Sequence, residues 1–469
     1  MKVEQIYTGC LAQGAYYIES EGEVAIIDPL REVSPYVEKA KKNNAKIKYI
    51  FETHFHADFV SGHVTLSKQT GAPIIFGPNA QTDFEAIIAT DGQEFNLGVG
   101  KIKLLHTPGH TLESSTFLLI DDQGKEQAIF TGDTLFLGDV GRPDLAQKQG
   151  EFTEKDLAGM LYDSLHNKIM PLPNDVLVYP AHGAGSACGK NMMKETVDSL
   201  GNQKKVNYAL NTELSKSDFV KEVTQGLLAP PKYFPLNVQM NKSGYPDIDE
   251  VLARGTQAIP AQDFAAVAKQ HGALVLDVRS AASFAKGHIP GAIFIGLDGG
   301  FAPWVGALIV NVHQPILLVC DTDREQEAVT RLSRVGFDHT LGYLEGGFEN
   351  WKSQGFEYDV VSQVTAFEFE KKQSKKSSLV FDVRKPNEYA SQRLENSLST
   401  PLDFINDYID NYPEGESFYI HCAGGYRSMI AASILKSRGI HNLIDVIGGF
   451  KAIKETKLPL TEFVCPSTL

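Results

Sequence analysis

Two kinds of hydrophobic pattern alternate along the chain. Short apolar runs rich in Val and Ile are typical of strands, and longer stretches with apolar residues every three or four positions are typical of helices. The clearest predicted strands are residues 24–29, 49–53, 101–105 and 176–179. Because strands and helices alternate, the pattern predicts α/β layers. Most of these strands lead directly into a loop that carries His or Asp, which places polar side chains at strand ends.

The second half of the chain contains a weak internal repeat. Its recurring landmarks are 276–279 with 381–384, Cys320 with Cys422, and 346–348 with 448–450. The period of roughly 100 residues is that of a domain that can fold by itself. We therefore predict three domains, at residues 1–245, 255–360 and 365–469, with the proline-rich segment 229–235 wrapping the first.

Composition narrows the possible partners. The 469 residues carry a net charge of −14, which repels phosphate backbones and argues against nucleic acid. No run reaches the roughly 18 apolar residues of a membrane span, and the start lacks the apolar core of a signal peptide. Five scattered cysteines do not form a disulfide framework. We expect a soluble cytoplasmic protein with no membrane partner.

Several strand-end loops carry groups that bind metals. These groups are His54, His56 and Asp58 after the strand at 49–53, then His110, Asp133 and His182, each just beyond a later apolar run. One such histidine alone is most simply a structural residue, whereas the whole set predicts a metal site. We expect the loops to meet at one edge of a sheet, where open α/β folds place their sites.

This constellation resembles the metallo-β-lactamase superfamily over about residues 1–245. Hydrolytic members such as glyoxalase II carry His-x-His-x-Asp-His, which supplies two adjacent metal sites. The last position of that motif is here Phe59, and phenylalanine cannot bind a metal. The departure resembles the persulfide dioxygenase branch, and this resemblance implies one Fe(II) per chain on His54, His110 and Asp133.

Two imidazoles and one carboxylate suit that chemistry. On one face of an octahedral iron they leave three positions open, enough for a persulfide sulfur and O₂. His56 stays ambiguous, since it binds the metal in hydrolases and lies beside the ligands in the dioxygenases. We expect Asp58 and His182 to orient ligands or water, with direct metal binding as the alternative. Zinc in place of iron would indicate a thiolester hydrolase of glyoxalase II type.

Two more segments of the first domain are candidates for substrate binding. Arg142 can hold a carboxylate of a thiol substrate, or it can form an internal ion pair with Asp144. A small-residue turn around Ser186 is expected to open a helix at 191–194, whose amides would favour an anion. Cys188 in that turn is either a thiol activated by the helix terminus or a small packed residue.

The second copy of the repeat contains a cysteine loop suited to sulfur chemistry. Cys422 lies between a predicted strand and a predicted helix, followed by Gly424 and Gly425. The glycines let loop amides approach the sulfur, where they stabilise a thiolate or the outer sulfur of a persulfide. Arg427 can fold back or meet a sulfo-anion. The loop resembles that of rhodaneses, sulfurtransferases with a cysteine nucleophile, although 392–397 departs from their usual Gly-His-Ile-Pro-Gly-Ala.

The first copy differs in the same loop. It keeps Gly-His-Ile-Pro-Gly-Ala at 287–292 and resembles the rhodanese scaffold, but no glycine follows Cys320. Acidic residues near that cysteine would raise the pKa of its thiol and repel sulfur anions. We predict a catalytically silent domain that serves as an interface or spacer, with a sulfur-carrying role for Cys320 as the alternative.

These features predict an αββα metallo-β-lactamase fold followed by two rhodanese-like α/β domains. The arrangement resembles persulfide dioxygenase–rhodanese fusion proteins of bacterial sulfide detoxification. The resemblance implies oxidation of a thiol persulfide by O₂ to sulfite and thiol, coupled to sulfur transfer at Cys422 that makes or uses thiosulfate. A non-enzymatic sulfur sensor is a further alternative. The sequence leaves open the thiol (glutathione, coenzyme A, cysteine or bacillithiol) and the direction of sulfur flow, and we expect a homo-oligomer.

Overall fold

A computed structural model describes residues 1–146, 151–227, 229–375 and 378–465 of the chain. These residues form two compact units, the first made of 1–250 with 332–336, and the second of the remaining described residues. No helix within the described ranges combines the length and the apolar character needed to cross a membrane.

Two six-stranded sheets form the centre of the first unit. The first contains, in order, β1 (Lys2–Thr8), β2 (Gln13–Ser20), β3 (Glu23–Ile27), β4 (Lys46–Phe51), β5 (Ile74–Phe76) and β6 (Ile87–Ile88). The second contains, in order, β7 (Glu94–Leu97), β8 (Gly100–His106), β9 (Ser115–Ile120), β10 (Glu126–Gly132), β11 (Leu177–Pro180) and β12 (Asp198–Ser199). Strands β3 to β6 are parallel, as are β10 and β11, and the other neighbours are antiparallel.

The two sheets pack face to face over one apolar core. That core includes Tyr16, Ile27, Phe51, Phe95, Phe117 and Phe130. Alternate residues of β2 point the other way, as the two-residue period of a strand requires, so this strand is buried on both faces. Helices cover the outer faces, and their bounds are α1 (Ser34–Lys42), α2 (His63–Thr70), α3 (Glu154–Ser164), α4 (Leu200–Val206), α5 (Lys216–Thr224) and α6 (Phe234–Ser243). The predicted αββα fold is confirmed.

The second unit contains two five-stranded parallel sheets with the same strand order, and α7 (Ile248–Gly255) leads into it. The first runs β13 (Ala258–Ile259), β17 (Thr340–Leu344), β16 (Ile316–Val319), β14 (Leu274–Asp277) and β15 (Ile293–Phe294). The second runs β18 (Gln363–Val364), β22 (Leu443–Val446), β21 (Phe418–His421), β19 (Val380–Asp382) and β20 (Leu398–Ser399). Because each strand has its counterpart in the other sheet, the internal repeat is confirmed.

The helices of this unit repeat in the same way. Those of the first copy are α8 (Ala261–His271), α9 (Ala281–Lys286), α10 (Phe301–Leu308), α11 (Glu325–Ser333) and α12 (Gly347–Ser353). Those of the second copy are α13 (Ala366–Gln373), α14 (Pro386–Ser391), α15 (Tyr426–Ser437) and α16 (Gly449–Ile453), with a 3₁₀ segment at Leu402–Asn411. In both copies the loop after the central strand carries the cysteine, Cys320 after β16 and Cys422 after β21.

Candidate functional sites

The predicted metal-binding side chains lie in loops that leave two different sheets. His54 follows β4 of the first sheet, whereas His110, Asp133 and His182 follow β8, β10 and β11 of the second. The expectation of a single sheet edge is therefore wrong. The sandwich instead brings loops from both sheets together.

His54, His110 and Asp133 form a buried cluster. The Nε2 atoms of the two histidines lie 3.9 and 3.4 Å from Asp133 Oδ2, and the two rings are nearly perpendicular at 88°. Within the described residues neither carboxylate oxygen of Asp133 has a hydrogen-bond partner. A buried carboxylate without partners is costly, so these three donors fit a bound cation. Burial, followed by the neighbouring histidines, holds the pKa of His54 well below its usual value, which keeps the ring neutral for metal binding.

Hydrogen bonds set which nitrogen each imidazole presents. Nδ1 of His110 lies 2.8 Å from the carbonyl oxygen of Arg142, so it donates its proton there. Nδ1 of His54 lies 3.0 Å from the hydroxyl of Thr53, which itself donates to Asp28 at 2.9 Å. In both rings the other nitrogen, Nε2, is free to bind a metal. Metal-binding histidines in proteins commonly donate their other ring nitrogen to such a hydrogen-bond partner.

Glycine is required just before Asp133. Gly132 ends β10 with a φ of 54°, and a Cβ atom there would lie 2.6 Å from the side chain of Thr53. The left-handed turn brings Asp133 out of the strand toward the loop from β4. The sequence Thr-Gly-Asp thus places the aspartate and packs it against the residue before His54.

His56 faces two carboxylates. Its Nε2 lies 3.2 Å from Asp28 Oδ1 and 3.4 Å from Glu52 Oε2, and its ring packs against Phe59 at 4.3 Å. Burial by itself would lower the pKa of His56, but the carboxylates of Asp28 and Glu52 raise it to about 10. His56 also lies within ligand distance of Asp58 and His182, so its surroundings fit an orienting role and metal binding alike.

Asp58 and His182 remain beside the cluster. His182 Nε2 lies 3.5 Å from Asp58 Oδ1 and 3.6 Å from Asp133 Oδ1, and Cys188 is close enough to share a ligand sphere with His182 and Asp133. Cys188 is buried, and that burial, followed by the charges of Asp58 and Asp133, raises the pKa of its thiol to about 12. These donors, together with His56, would have to supply any second metal ion, since Phe59 provides none.

The predicted helix at 191–194 is wrong, and with it the helix-terminal anion site around Ser186. Residues 183–197 are irregular, and the amides of Lys190 and Asn191 both donate to Asp139 Oδ2, at 2.6 and 2.7 Å. A carboxylate of the protein thus already accepts the amide protons that were expected to bind a ligand. Activation of Cys188 by a helix terminus is likewise wrong, which leaves the packed-residue alternative.

Arg142 makes the internal ion pair. Its Nε and Nη2 donate to the two carboxylate oxygens of Asp144, at 2.7 and 2.6 Å, and the side chain is buried. The planar fork that would hold a substrate carboxylate is used within the protein. The structure therefore favours the second of the two interpretations of Arg142.

Sequence analysis missed residues that hold the His54 loop from outside. Asn241 in α6 donates to the carbonyl oxygens of His56 and Phe59, at 2.8 and 2.9 Å, and accepts from the amide of Ser61. Asp28 supports Thr53 in the same loop. Asp28 lies near the end of the predicted strand at 24–29 and so carried a signal of its own, whereas nothing local marks Asn241.

The Cys422 loop has the geometry expected of a sulfur-binding loop. The amide of Gly425 donates to Cys422 Sγ at 3.1 Å, from a backbone with a φ of 104° that favours glycine. Gly424 lies beside it in the same turn. Arg427 has folded back onto Glu388, with Nη1 and Nη2 at 2.6 and 2.9 Å from its two oxygens.

The Cys320 loop keeps the backbone turn but surrounds its cysteine with acidic residues. Asp323, at the position that Gly425 holds in the other copy, has a φ of 64°. Burial, followed by Glu325 and the other nearby carboxylates, raises the pKa of Cys320 to about 12. Arg324 pairs with Glu327 and Asp298. A neutral thiol beside carboxylates supports the prediction of a silent domain.

Family comparisons agree with the fold. The metallo-beta-lactamase superfamily profile matches residues 8–182, and the rhodanese-like domain profile matches residues 260–354 and 365–456. A crystal structure of a metallo-beta-lactamase from Staphylococcus aureus subsp. aureus COL is similar with a TM-score of 0.65 and 29% identity, over 73% of this chain and 98% of that one.

Two kinds of curated relative match the first half of the chain. A probable hydroxyacylglutathione hydrolase of Schizosaccharomyces pombe is 33% identical over 35% of this chain. The mitochondrial persulfide dioxygenase ETHE1 of Homo sapiens is 30% identical over 47% of this chain. The chain spans 60% of the length of the hydrolase and 78% of that of the dioxygenase. Sequence similarity alone does not distinguish the two chemistries.

Proposed function

Because the chain belongs to the metallo-beta-lactamase superfamily and carries two rhodanese-like domains after that fold, we propose that it oxidises a thiol persulfide and transfers sulfane sulfur. In the oxidation, the persulfide R–S–SH, O₂ and a water molecule give the thiol R–SH, sulfite and two protons. The S–S bond breaks, the outer sulfur is oxidised and O₂ is reduced.

The observation that carries this proposal is the side chain at position 59. Phe59 is buried against the ring of His56, and His56 Nε2 lies against the carboxylates of Asp28 and Glu52. The last histidine of the two-metal hydrolase motif is thus replaced by Phe59. The second histidine of that motif, His56, has its Nε2 beside two carboxylates of the protein. This arrangement supports one ion on His54, His110 and Asp133.

The residues of the chain then have separate tasks. His54, His110 and Asp133 would hold Fe(II), which supplies free coordination positions for both the sulfur and O₂. Thr53 and the carbonyl of Arg142 fix the two imidazoles, and burial of the cluster excludes bulk water. Burial by itself would lower the pKa of His182, but the carboxylates of Asp58 and Asp133 raise it well above its usual value. The charged ring, beside Asp133, would therefore donate a hydrogen bond from Nε2 to the persulfide anion.

Sulfur transfer belongs to the last domain. The Cys422 thiolate attacks the outer sulfur of thiosulfate, the S–S bond of thiosulfate breaks, and sulfite leaves with the electron pair of that bond. Cys422 then carries a persulfide. Its outer sulfur would accept hydrogen bonds from the loop amides, as Cys422 Sγ accepts one from the amide of Gly425. Run in reverse, the same step joins sulfite to sulfane sulfur and makes thiosulfate, which would use the product of the first domain.

Oxygen uptake tests the proposal. Iron-loaded protein should consume O₂ when glutathione persulfide, prepared without air, is added, and sulfite should form in equal amount. His110→Ala should abolish the uptake, whereas His166→Ala, which removes a histidine stacked on Tyr162 instead, should retain it. Absence of uptake by the iron-loaded wild type would overturn the oxygenase.

A second candidate is a zinc thiolester hydrolase. It is favoured by the Asp58–His182 pair, which lies beside Asp133 with Cys188 and offers donors for a second ion. Zinc-loaded protein would then hydrolyse a hydroxyacylglutathione, and Phe59 would have no bearing on the metal count.

A further inference from the structure

One side chain of the Cys422 loop reaches the neighbouring silent domain. The hydroxyl of Tyr426 donates to the carbonyl oxygen of Gly296 at 2.7 Å, and its ring meets Phe294 edge to face at 5.8 Å. Tyr426 is half-buried there. A half-buried tyrosine whose hydroxyl is bonded and whose ring contacts another aromatic ring is held in both position and orientation.

The silent domain leaves a space of the right shape for that ring. A Cβ atom at Gly299 would lie 2.3 Å from a ring carbon of Tyr426, closer than any side chain can approach. The next residue, Gly300, has only ordinary contacts at its own Cβ position, the nearest being 3.4 Å from Trp304. A side chain at position 299 would therefore displace Tyr426. A side chain at position 300 would leave the contact with Tyr426 intact.

Tyr426 is one residue from the amide that contacts the sulfur. Gly425 donates to Cys422 Sγ, and Tyr426 begins α15 directly after it. On the other side of the loop, the carbonyl oxygens of Cys422 and Ala423 accept from the amides of Phe450 and Lys451. The loop is thus fixed by its own domain at one end and by the silent domain at the other.

The rest of α15 packs in the same way. All residues from Ser428 to Leu435 are buried, so the helix has no solvent face along that stretch. Ser433 Oγ accepts from the amide of Phe294 at 3.0 Å, and Lys436 pairs with Asp359 at 2.9 Å. A helix buried on all sides must have a second wall besides its own sheet, and the silent domain supplies it.

We propose that the silent domain is a structural part of the sulfurtransferase site and that Tyr426 is its positioning residue. Anchoring Tyr426 on the turn from Gly296 to Gly299 fixes the start of α15, and with it the Gly425 amide that faces Cys422. The catalytic consequence of this positioning rests on the proposed function, sulfur transfer at Cys422. It explains why a copy of the domain without usable cysteine chemistry keeps an intact fold.

Two variants and one matched control test it in the full-length protein. Tyr426→Phe removes only the hydroxyl, Gly299→Ala displaces the ring, and Gly300→Ala makes the same chemical change at a position without the contact. The first readout is the rate at which iodoacetamide alkylates Cys422 from pH 5 to 10, followed by mass spectrometry of the peptide. The second is transfer of sulfur from thiosulfate to cyanide, with kcat and KM measured separately.

We expect Tyr426→Phe and Gly299→Ala to slow alkylation at pH 7 by about threefold or more and to move the profile to higher pH. The kcat for transfer should fall by about fivefold with little change in KM, and Gly300→Ala should match the wild type. Unchanged profiles and kcat in Tyr426→Phe would overturn the proposal, even if Gly299→Ala fails to fold. A wild type that is alkylated normally but transfers no sulfur would instead contradict the proposed function, and the alkylation profiles would still decide the positioning role.

Discussion

Thr53 donates both its backbone amide and its hydroxyl to Asp28, at 2.8 and 2.9 Å. Because the hydroxyl is used as a donor to Asp28, its oxygen can accept from His54 Nδ1 at 3.0 Å. The imidazole therefore keeps its proton on Nδ1 and presents Nε2 toward Asp133. The orientation of one proposed metal ligand thus depends on a carboxylate directly after β3.

Removing that hydroxyl should weaken metal binding. Thr53→Val keeps the shape of the side chain but leaves His54 Nδ1 without its acceptor, so Fe(II) affinity should fall about tenfold. Anaerobic titration against a competing chelator measures the change. Thr340→Val is the control, because Thr340 is buried in β17 and its hydroxyl has no hydrogen-bond partner among the described residues. Equal affinities in wild type and Thr53→Val would contradict this role.

The two cysteine loops should separate in function. Cys422→Ser should abolish transfer of sulfur from thiosulfate to cyanide while persulfide-dependent O₂ uptake persists, because the two reactions use different residues. Cys320→Ser should leave both activities unchanged, since the Cys320 thiol has a pKa of about 12 and stays protonated at neutral pH. Loss of transfer in Cys320→Ser would show that the middle domain carries sulfur after all.

Glu388 should limit the affinity of the last domain for sulfo-anions. Although burial opposes it, the ion pair with Arg427 lowers the pKa of Glu388, so its charge neutralises the guanidinium near Cys422. Glu388→Gln should free Arg427 and lower the KM for thiosulfate by about threefold. Glu395→Gln, at an exposed carboxylate of the same domain, serves as control. An unchanged or raised KM in Glu388→Gln would contradict this assignment.

The stability of the last domain should fall in mild acid. Burial lowers the pKa of His421 below its ordinary value of 6.5, so the unfolded chain takes up a proton first as the pH falls through that value. Protonation of His421 therefore has no effect on stability well above pH 6.5 and destabilises the folded state increasingly as the pH falls below that value. Urea unfolding at pH 7.5 and 5.5 should show the loss, with a smaller pH difference in His421→Asn and an unchanged one at the exposed His313→Asn. The same loss of stability between pH 7.5 and 5.5 in all three proteins would show that His421 does not cause it.

The sequence was sufficient to place ligand-type residues at strand ends but not to say which sheet each strand joins. His54 and Asp133 were both identifiable, because each directly follows an apolar run. Their meeting across two stacked sheets depends on long-range packing between β4 and β10, which no local pattern records. The single-edge expectation failed for that reason.

The error at residues 191–194 has the same origin. Met192 and Met193 suggest the start of a helix. The amides of Lys190 and Asn191 instead donate to Asp139, which lies in a loop distant in sequence. The apolar run in α15 indicates a helix without a solvent face, yet only the fold assigns that second face to Phe294 of the neighbouring copy. At residues 190–191 local helix propensity was overridden, because a carboxylate from elsewhere in the chain accepts the backbone amides.

The metal count per chain tests the central claim most directly. Metal-free protein should be titrated anaerobically with Fe(II), and separately with Zn²⁺, for the wild type, Phe59→His and Phe59→Leu. The account predicts one ion per chain in the wild type and in Phe59→Leu, and two in Phe59→His, because only histidine restores the missing ligand. Two ions per wild-type chain, bound as a bridged pair, would contradict it.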